Sequence, residues 1–141
     1  PDPSVVGQPY PVAVEVRAQT LSPLGTVSIT DGTGATCNAT LTAGAAPAST
    51  MSCMLTSTSA GNKTLTATYA PASSAFGASS DTESHRVDAA ATTLALDGPP
   101  TVRFNTPASY TATLAVSAPG AGTPAGTVTV TSGAQSCTIT L

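Results

Sequence analysis

The sequence predicts an all-β protein built as a two-layer sandwich, and three observations lead there. Apolar and polar side chains alternate along one short run after another, as in Val12-Ala13-Val14-Glu15-Val16-Arg17, which is the pattern of a strand with one face buried. Twelve glycines and twelve prolines are scattered between these runs, leaving no room for a helix of any length. Threonine and serine carry most of the polar positions; threonine's branched Cβ suits a pleated surface and its hydroxyl keeps the outer face wet.

Taken in order, the strands are expected at 4–6, 10–18, 25–31, 35–41, 50–56, 62–69 and 81–87. The second presents its valines on one face and Glu15 and Arg17 on the other. The third sets Val27 and Ile29 between Thr26, Ser28 and Thr30. The next three bury Cys37, Ala39 and Leu41, then Met51, Cys53 and Leu55, then Leu65, Ala67 and Tyr69. Ser22-Pro23, Asp31-Gly32-Thr33-Gly34, Ala60-Gly61-Asn62 and Ala70-Pro71 bound these runs with turn-forming residues. The longest loops are expected at Thr42 to Ser49 and at Ala70 to Ser80. Short strands at such spacing suit two antiparallel sheets packed about 10 Å apart.

The chain then starts again. After Asp88-Ala89-Ala90-Ala91 a fresh strand is expected at 92–96. Tyr110, Ala112, Leu114 and Val116 follow Tyr10, Val12, Val14 and Val16, and Pro124-Ala125-Gly126-Thr127-Val128-Thr129-Val130 follows Pro23-Leu24-Gly25-Thr26-Val27-Ser28-Ile29. Self-similarity at a period near one hundred residues reads as whole domains in series. The expected division is a module at 1–88 lacking its first strand, followed at 89–141 by the N-terminal part of a second. With neither an initiator Met nor a signal peptide, the chain reads as an internal piece of a larger precursor. An open sheet edge in module one and unfinished apolar faces in module two suggest strand donation between copies.

Three cysteines are an awkward number for a secreted protein, and the repeat resolves it. Cys37 and Cys53 fall in consecutive expected strands, where a hairpin would bring them together as a disulfide. Cys137 corresponds to Cys37 and is left unpaired. Closing a loop of ~15 residues contributes roughly 3 kcal/mol in the chain-entropy account, and the bond implies an oxidising compartment. Two free core thiols, or metal ligation without accompanying histidines, are the alternatives.

Ser4-Val5-Val6-Gly7-Gln8-Pro9, Pro23 through Gly32, Ala60-Gly61-Asn62-Lys63-Thr64-Leu65-Thr66-Ala67-Thr68-Tyr69 and Phe76-Gly77-Ala78-Ser79-Ser80 together resemble the bacterial Ig-like repeat domains. The resemblance covers nearly all of module one and module two as far as it runs. It implies an immunoglobulin-like sandwich in a tandem array of a bacterial surface or secreted protein, acting as spacer, stalk or adhesive module, with no catalytic residues to carry over. The chain departs from antibody domains in having no Trp and in placing its cysteines in neighbouring strands rather than across the two sheets. Tyr69 and Phe76 are expected to fill the core in place of a Trp.

Composition excludes several classes. A net charge of −3 with only four Lys and Arg cannot build the basic patch that nucleic acid or an anionic membrane surface requires. No apolar run approaches the ~18 residues that span a bilayer. The single histidine, His85, has no Ser, Cys or Asp pattern around it in the sequence and reads as incidental. Asp81 and Glu83 share a strand face and read as a solvated edge; Asp88 and Asp97 flank the junction but are few for a calcium site. Asp31-Gly32-Thr33-Gly34 precedes no helix, so it reads as a hairpin turn and not a phosphate loop. Asn38-Ala39-Thr40 and Asn62-Lys63-Thr64 fit the glycosylation pattern by chance in a Thr-rich chain. No catalytic, cofactor or metal residue is expected. The leading reading is a structural spacer whose partners are neighbouring modules; the second is recognition of a host protein or glycan through the loops at one end.

Overall fold

The computed structural model describes residues 2–141, and every regular element among them is a β-strand. The chain divides into two compact units, Pro1–Ala89 and Ala90–Leu141.

The first unit holds eight strands: β1 (Ser4–Val5), β2 (Tyr10–Arg17), β3 (Gly25–Thr30), β4 (Thr36–Thr40), β5 (Thr42–Ala43), β6 (Ala48–Leu55), β7 (Gly61–Pro71) and β8 (Ser79–Asp88). They form a five-stranded sheet in the order β1-β8-β7-β3-β4 and a three-stranded sheet in the order β2-β6-β5. All pairings are antiparallel except the short one between β1 and β8. The alternation read from the sequence appears as alternating burial. Along β3, Gly25, Val27 and Ile29 are buried between exposed Thr26 and Ser28. Along β2, Tyr10, Val12, Val14 and Val16 turn inward while Pro11, Ala13, Glu15 and Arg17 are exposed.

One core joins the two sheets. Val27, Ile29, Leu65 and Tyr69 come from the larger sheet, Tyr10, Met51 and Leu55 from the smaller, and Leu41 from the crossing between them. This arrangement is consistent with a β-sandwich. Tyr69 is buried in the core and Phe76 packs against it, so both aromatics fill space as expected. Tyr69 also donates its hydroxyl to the Leu24 carbonyl at 2.9 Å, where Gly25 lets the backbones approach. A Cβ at Gly25 would lie 2.2 Å from the Ala70 carbonyl oxygen, and its φ of +153° is one that L side chains rarely adopt.

Two expectations are corrected. The stretch 42–49 is not one long loop: Thr42 and Ala43 pair with Thr50 and Ser49 as β5, and β7 and β8 extend into the other expected loop, leaving only 72–78 between them. Cys37 and Cys53 do bond, but not across a hairpin. β4 pairs with β3 while β6 pairs with β2 and β5, so the disulfide bridges the two sheets at a Cα–Cα distance of 6.1 Å. Alternation correctly set both sulfurs facing inward; the chain changes sheets after β4, a switch that alternation does not encode.

The second unit holds β9 (Thr92–Asp97), β10 (Thr111–Val116), β11 (Thr127–Ser132) and β12 (Gln135–Thr140). β9 pairs with β10 and β11 with β12, both antiparallel. The β11–β12 ribbon repeats the register of β3–β4. Val128 faces Ile139 and Val130 faces Cys137, as Val27 faces Ala39 and Ile29 faces Cys37. The closing bond repeats as well: Leu41 N–H donates to the Gly25 carbonyl and Leu141 N–H to that of Gly126, each at 2.9 Å.

Candidate functional site

The densest polar chemistry lies at one end of the first unit's core. Asp31 begins the β3–β4 turn and is almost wholly buried, at 2% exposure. Its carboxylate accepts bonds from Thr33 N–H (2.8 Å), the Thr33 hydroxyl (2.9 Å), Ala35 N–H (3.0 Å) and the Ser57 hydroxyl (2.8 Å). Because Ser57 spends its single proton on Asp31, the Tyr10 hydroxyl, 3.0 Å away, is the donor to Ser57. The result is a directed row, Tyr10 to Ser57 to Asp31. Burial pushes the Asp31 pKa up, but the bonds from Thr33, Ser57 and Ala35 outweigh it and hold the carboxyl below its ordinary value. Burial, with the Asp31 charge adding to it, raises the Tyr10 phenol above its own.

The Tyr10 ring stacks on His85, with centroids 4.1 Å apart and planes 25° from parallel. His85 has partners at both nitrogens: Ser4 Oγ lies 2.8 Å from Nε2, and Asp2 Oδ1 lies 3.4 Å from Nδ1. The reading of His85 as an incidental side chain is thereby corrected. Its partners stand at the other end of the unit's sequence, so no local pattern could announce them, and pairing of β1 with β8 brings them in. The row has the residue types of a catalytic triad but not the access of one. Ser4 has no exposed surface at all, whereas a nucleophilic hydroxyl must meet a substrate carbonyl beside oxyanion donors. Its work is to fasten β1 to β8. Lys63, directly opposite His85 on β7, is also buried and donates to Ser59 Oγ at 2.6 Å; its period-two spacing from Leu65, Ala67 and Tyr69 is the one local signal of that burial.

The remaining candidates fall as follows. Asp81 and Glu83 pair with Ala67 and Leu65, which puts them on the core-facing row of β8 with His85 and Val87; both are exposed at the mouth of a hollow of about 280 Å³ that Val12, Val14 and Leu65 also line. Asp88 accepts from Arg86 Nε at 2.8 Å, and Asp97 accepts from Gly98 N–H at 2.9 Å. Asp31 through Gly34 forms the strand-to-strand turn that was expected, with the buried Asp31 as its addition. Cys37 and Cys53 are bonded and Cys137 is free and exposed. No group of three or more His, Cys, Asp or Glu able to hold a metal occurs among the described residues, and no helix there is long and apolar enough to cross a membrane. A shallow hollow of about 390 Å³ lies between 18–21 and 75–77, lined by Leu21 and Phe76 among others and by no charged side chain.

Compared with protein-family models, curated proteins and solved structures, the chain matches none.

Proposed function

We propose that this chain is a non-catalytic structural module of the bacterial Ig-like repeat kind, serving as a spacer in an extracellular or cell-surface array. The observation that carries the reading is the hairpin built twice: the same register, the same closing bond and a cysteine at the same position, in two units in series. Repeated domains of this sort gain function from length and stiffness, which a short junction such as Ala89-Ala90-Ala91 favours. The Cys37–Cys53 bond suits an oxidising compartment outside the cytoplasm. Its partners on this reading are neighbouring modules of the same chain.

The adhesive alternative places recognition in the loops at one end. Against it, the one aromatic in those loops, Phe76, packs on the core instead of standing free as an anchor. Small-angle scattering tests the spacer reading. A compact chain of this length has a radius of gyration of about 14 Å; a spacer is expected well above that, and a value near it would overturn the reading. A glycan or host-protein screen yielding a specific hit that loop exchange abolishes would put adhesion in its place.

A further inference from the structure

β4 ends the larger sheet, and no strand among the described residues lies on its far side. The chain before and after it is already committed: β3 pairs with β4, while β5 has crossed over to pair with β6. Which backbone groups face the free edge follows from two bonds. Asp31 N–H donates to the Ala35 carbonyl and Leu41 N–H to the Gly25 carbonyl, so by alternation the odd-numbered residues of β4 turn their backbone groups to β3. The other flank of β3 agrees, since Leu24 accepts from Ala72 N–H and β3 thus gives its even-numbered residues to β7. Thr36, Asn38 and Thr40 therefore turn their amides and carbonyls outward.

Sheet edges are usually blunted by a charge, a proline, a bulge or mere shortness. β5, the next strand, is only two residues long. β4 has none of these devices. Thr36-Cys37-Asn38-Ala39-Thr40 carries neither charge nor proline, and its register with β3 runs unbroken from Thr36 to Thr40. The side chains of Thr36, Asn38 and Thr40 are exposed, while Cys37 is half-buried and anchors the strand to β6 through the disulfide.

This edge is complementary to itself. Set antiparallel to a second β4 about a two-fold axis at Asn38, Asn38 faces the partner's Asn38 and Thr36 faces the partner's Thr40. All are hydrogen-bonded pairs, about 5.5 Å apart at Cα, so every outward amide meets an outward carbonyl. A slip of one residue would set outward groups against those already given to β3. Each Asn38 carboxamide holds both a donor and an acceptor, so the two can bond reciprocally. Threonines opposite one another stabilise a sheet pair, and the β11–β12 ribbon makes such a contact, with the Thr129 and Thr138 hydroxyls 3.2 Å apart. No like charges meet anywhere along the pairing.

We propose that the outer edge of β4 is an interface for a second copy of this chain, joined antiparallel about a two-fold axis at Asn38. The pairing makes one continuous sheet of two five-stranded ones. It uses the same edge of both copies, so it closes at the dimer. The inference rests on sheet order and register and is independent of the spacer reading.

The test follows the full chain, carrying Cys137→Ser so that the exposed thiol cannot link copies, by sedimentation velocity and amide hydrogen exchange from micromolar to millimolar concentration. The expected result is a monomer–dimer equilibrium. Across that range exchange at Thr36, Asn38 and Thr40 slows at least about tenfold, while Cys37 and Ala39, already bonded to β3, do not change. Asn38→Lys places two like charges opposite each other at the axis; it should lose both effects and, the side chain being exposed, keep the unfolding midpoint. A chain that stays monomeric at millimolar concentration overturns the proposal, as does a dimer whose added protection falls on strands other than β4, or one indifferent to Asn38→Lys.

Discussion

Asp31 shows how a single carboxylate can be buried without being a catalyst. It accepts hydrogen bonds from two backbone amides and two hydroxyls, and these keep its pKa below that of the unfolded chain despite desolvation. Its stabilising contribution is therefore fully present above the unfolded carboxylate value of about 3.9, and is lost as pH falls through the lower folded value. Asp31→Ala should cost about 2–3 kcal/mol at neutral pH, since it leaves Ser57 and two amides without their acceptor. Urea unfolding of both proteins across acidic pH checks this: the gap between them should narrow on acidification, and a constant gap would contradict the assignment. Gly25 is the second residue whose identity matters. Gly25→Ala forces a Cβ onto the Ala70 carbonyl, and the expected loss is about 3 kcal/mol, read from the unfolding midpoint.

At the scale of elements, the disulfide and the β1–β8 contact hold pieces that strand pairing alone leaves loose. The Cys37–Cys53 bond closes a loop with a sequence separation of 16 and ties β4 to β6 across the sheets. Reducing it should lower stability by about 3 kcal/mol, measured by denaturant unfolding with and without reductant. Thiol titration of the unfolded, unreduced chain should find Cys137 alone reactive; a chain with all three reactive would refute the bond. β1 is only two residues long, too short for its ladder to hold it unaided. Ser4→Ala removes its buried bond to His85 and should cost about 1 kcal/mol, with β1 amides exchanging faster than those of β8.

At the scale of the molecule, the two units differ in how much of their apolar surface is covered. β3 and β7 lie inside the larger sheet with their inward faces in the core, while β9 and β12 are exposed along their whole length. Leu94 and Leu96 each remain more than half exposed. Local stability follows buried contact, so hydrogen exchange should be slowest in β3 and β7 and fastest in β9 and β12. Uniform protection across both units would contradict the division of the chain into two units of unequal burial. Much of this was legible beforehand. The valines of β2 and the Val27–Ile29 pair betray their inward face by period-two spacing alone, and the second copy of the hairpin betrays itself by Gly126-Thr127-Val128. His85, Ser4 and Asp2 were not legible as a group, because nothing local links residues at opposite ends of a unit.

By itself the sequence determined that the chain is all β, which side of β2, β3, β4, β6 and β7 faces inward, where most turns fall and that a hairpin occurs twice. These are local properties, set by side-chain alternation and by the backbone preferences of Gly, Pro and Asp over a few residues. Only the tertiary structure decided which sheet each strand joins, and with it that the disulfide crosses the core, that Asp31 is buried and that His85 has two partners. Sheet membership depends on contacts between residues far apart in the chain, and a strand's pattern is the same whichever sheet receives it.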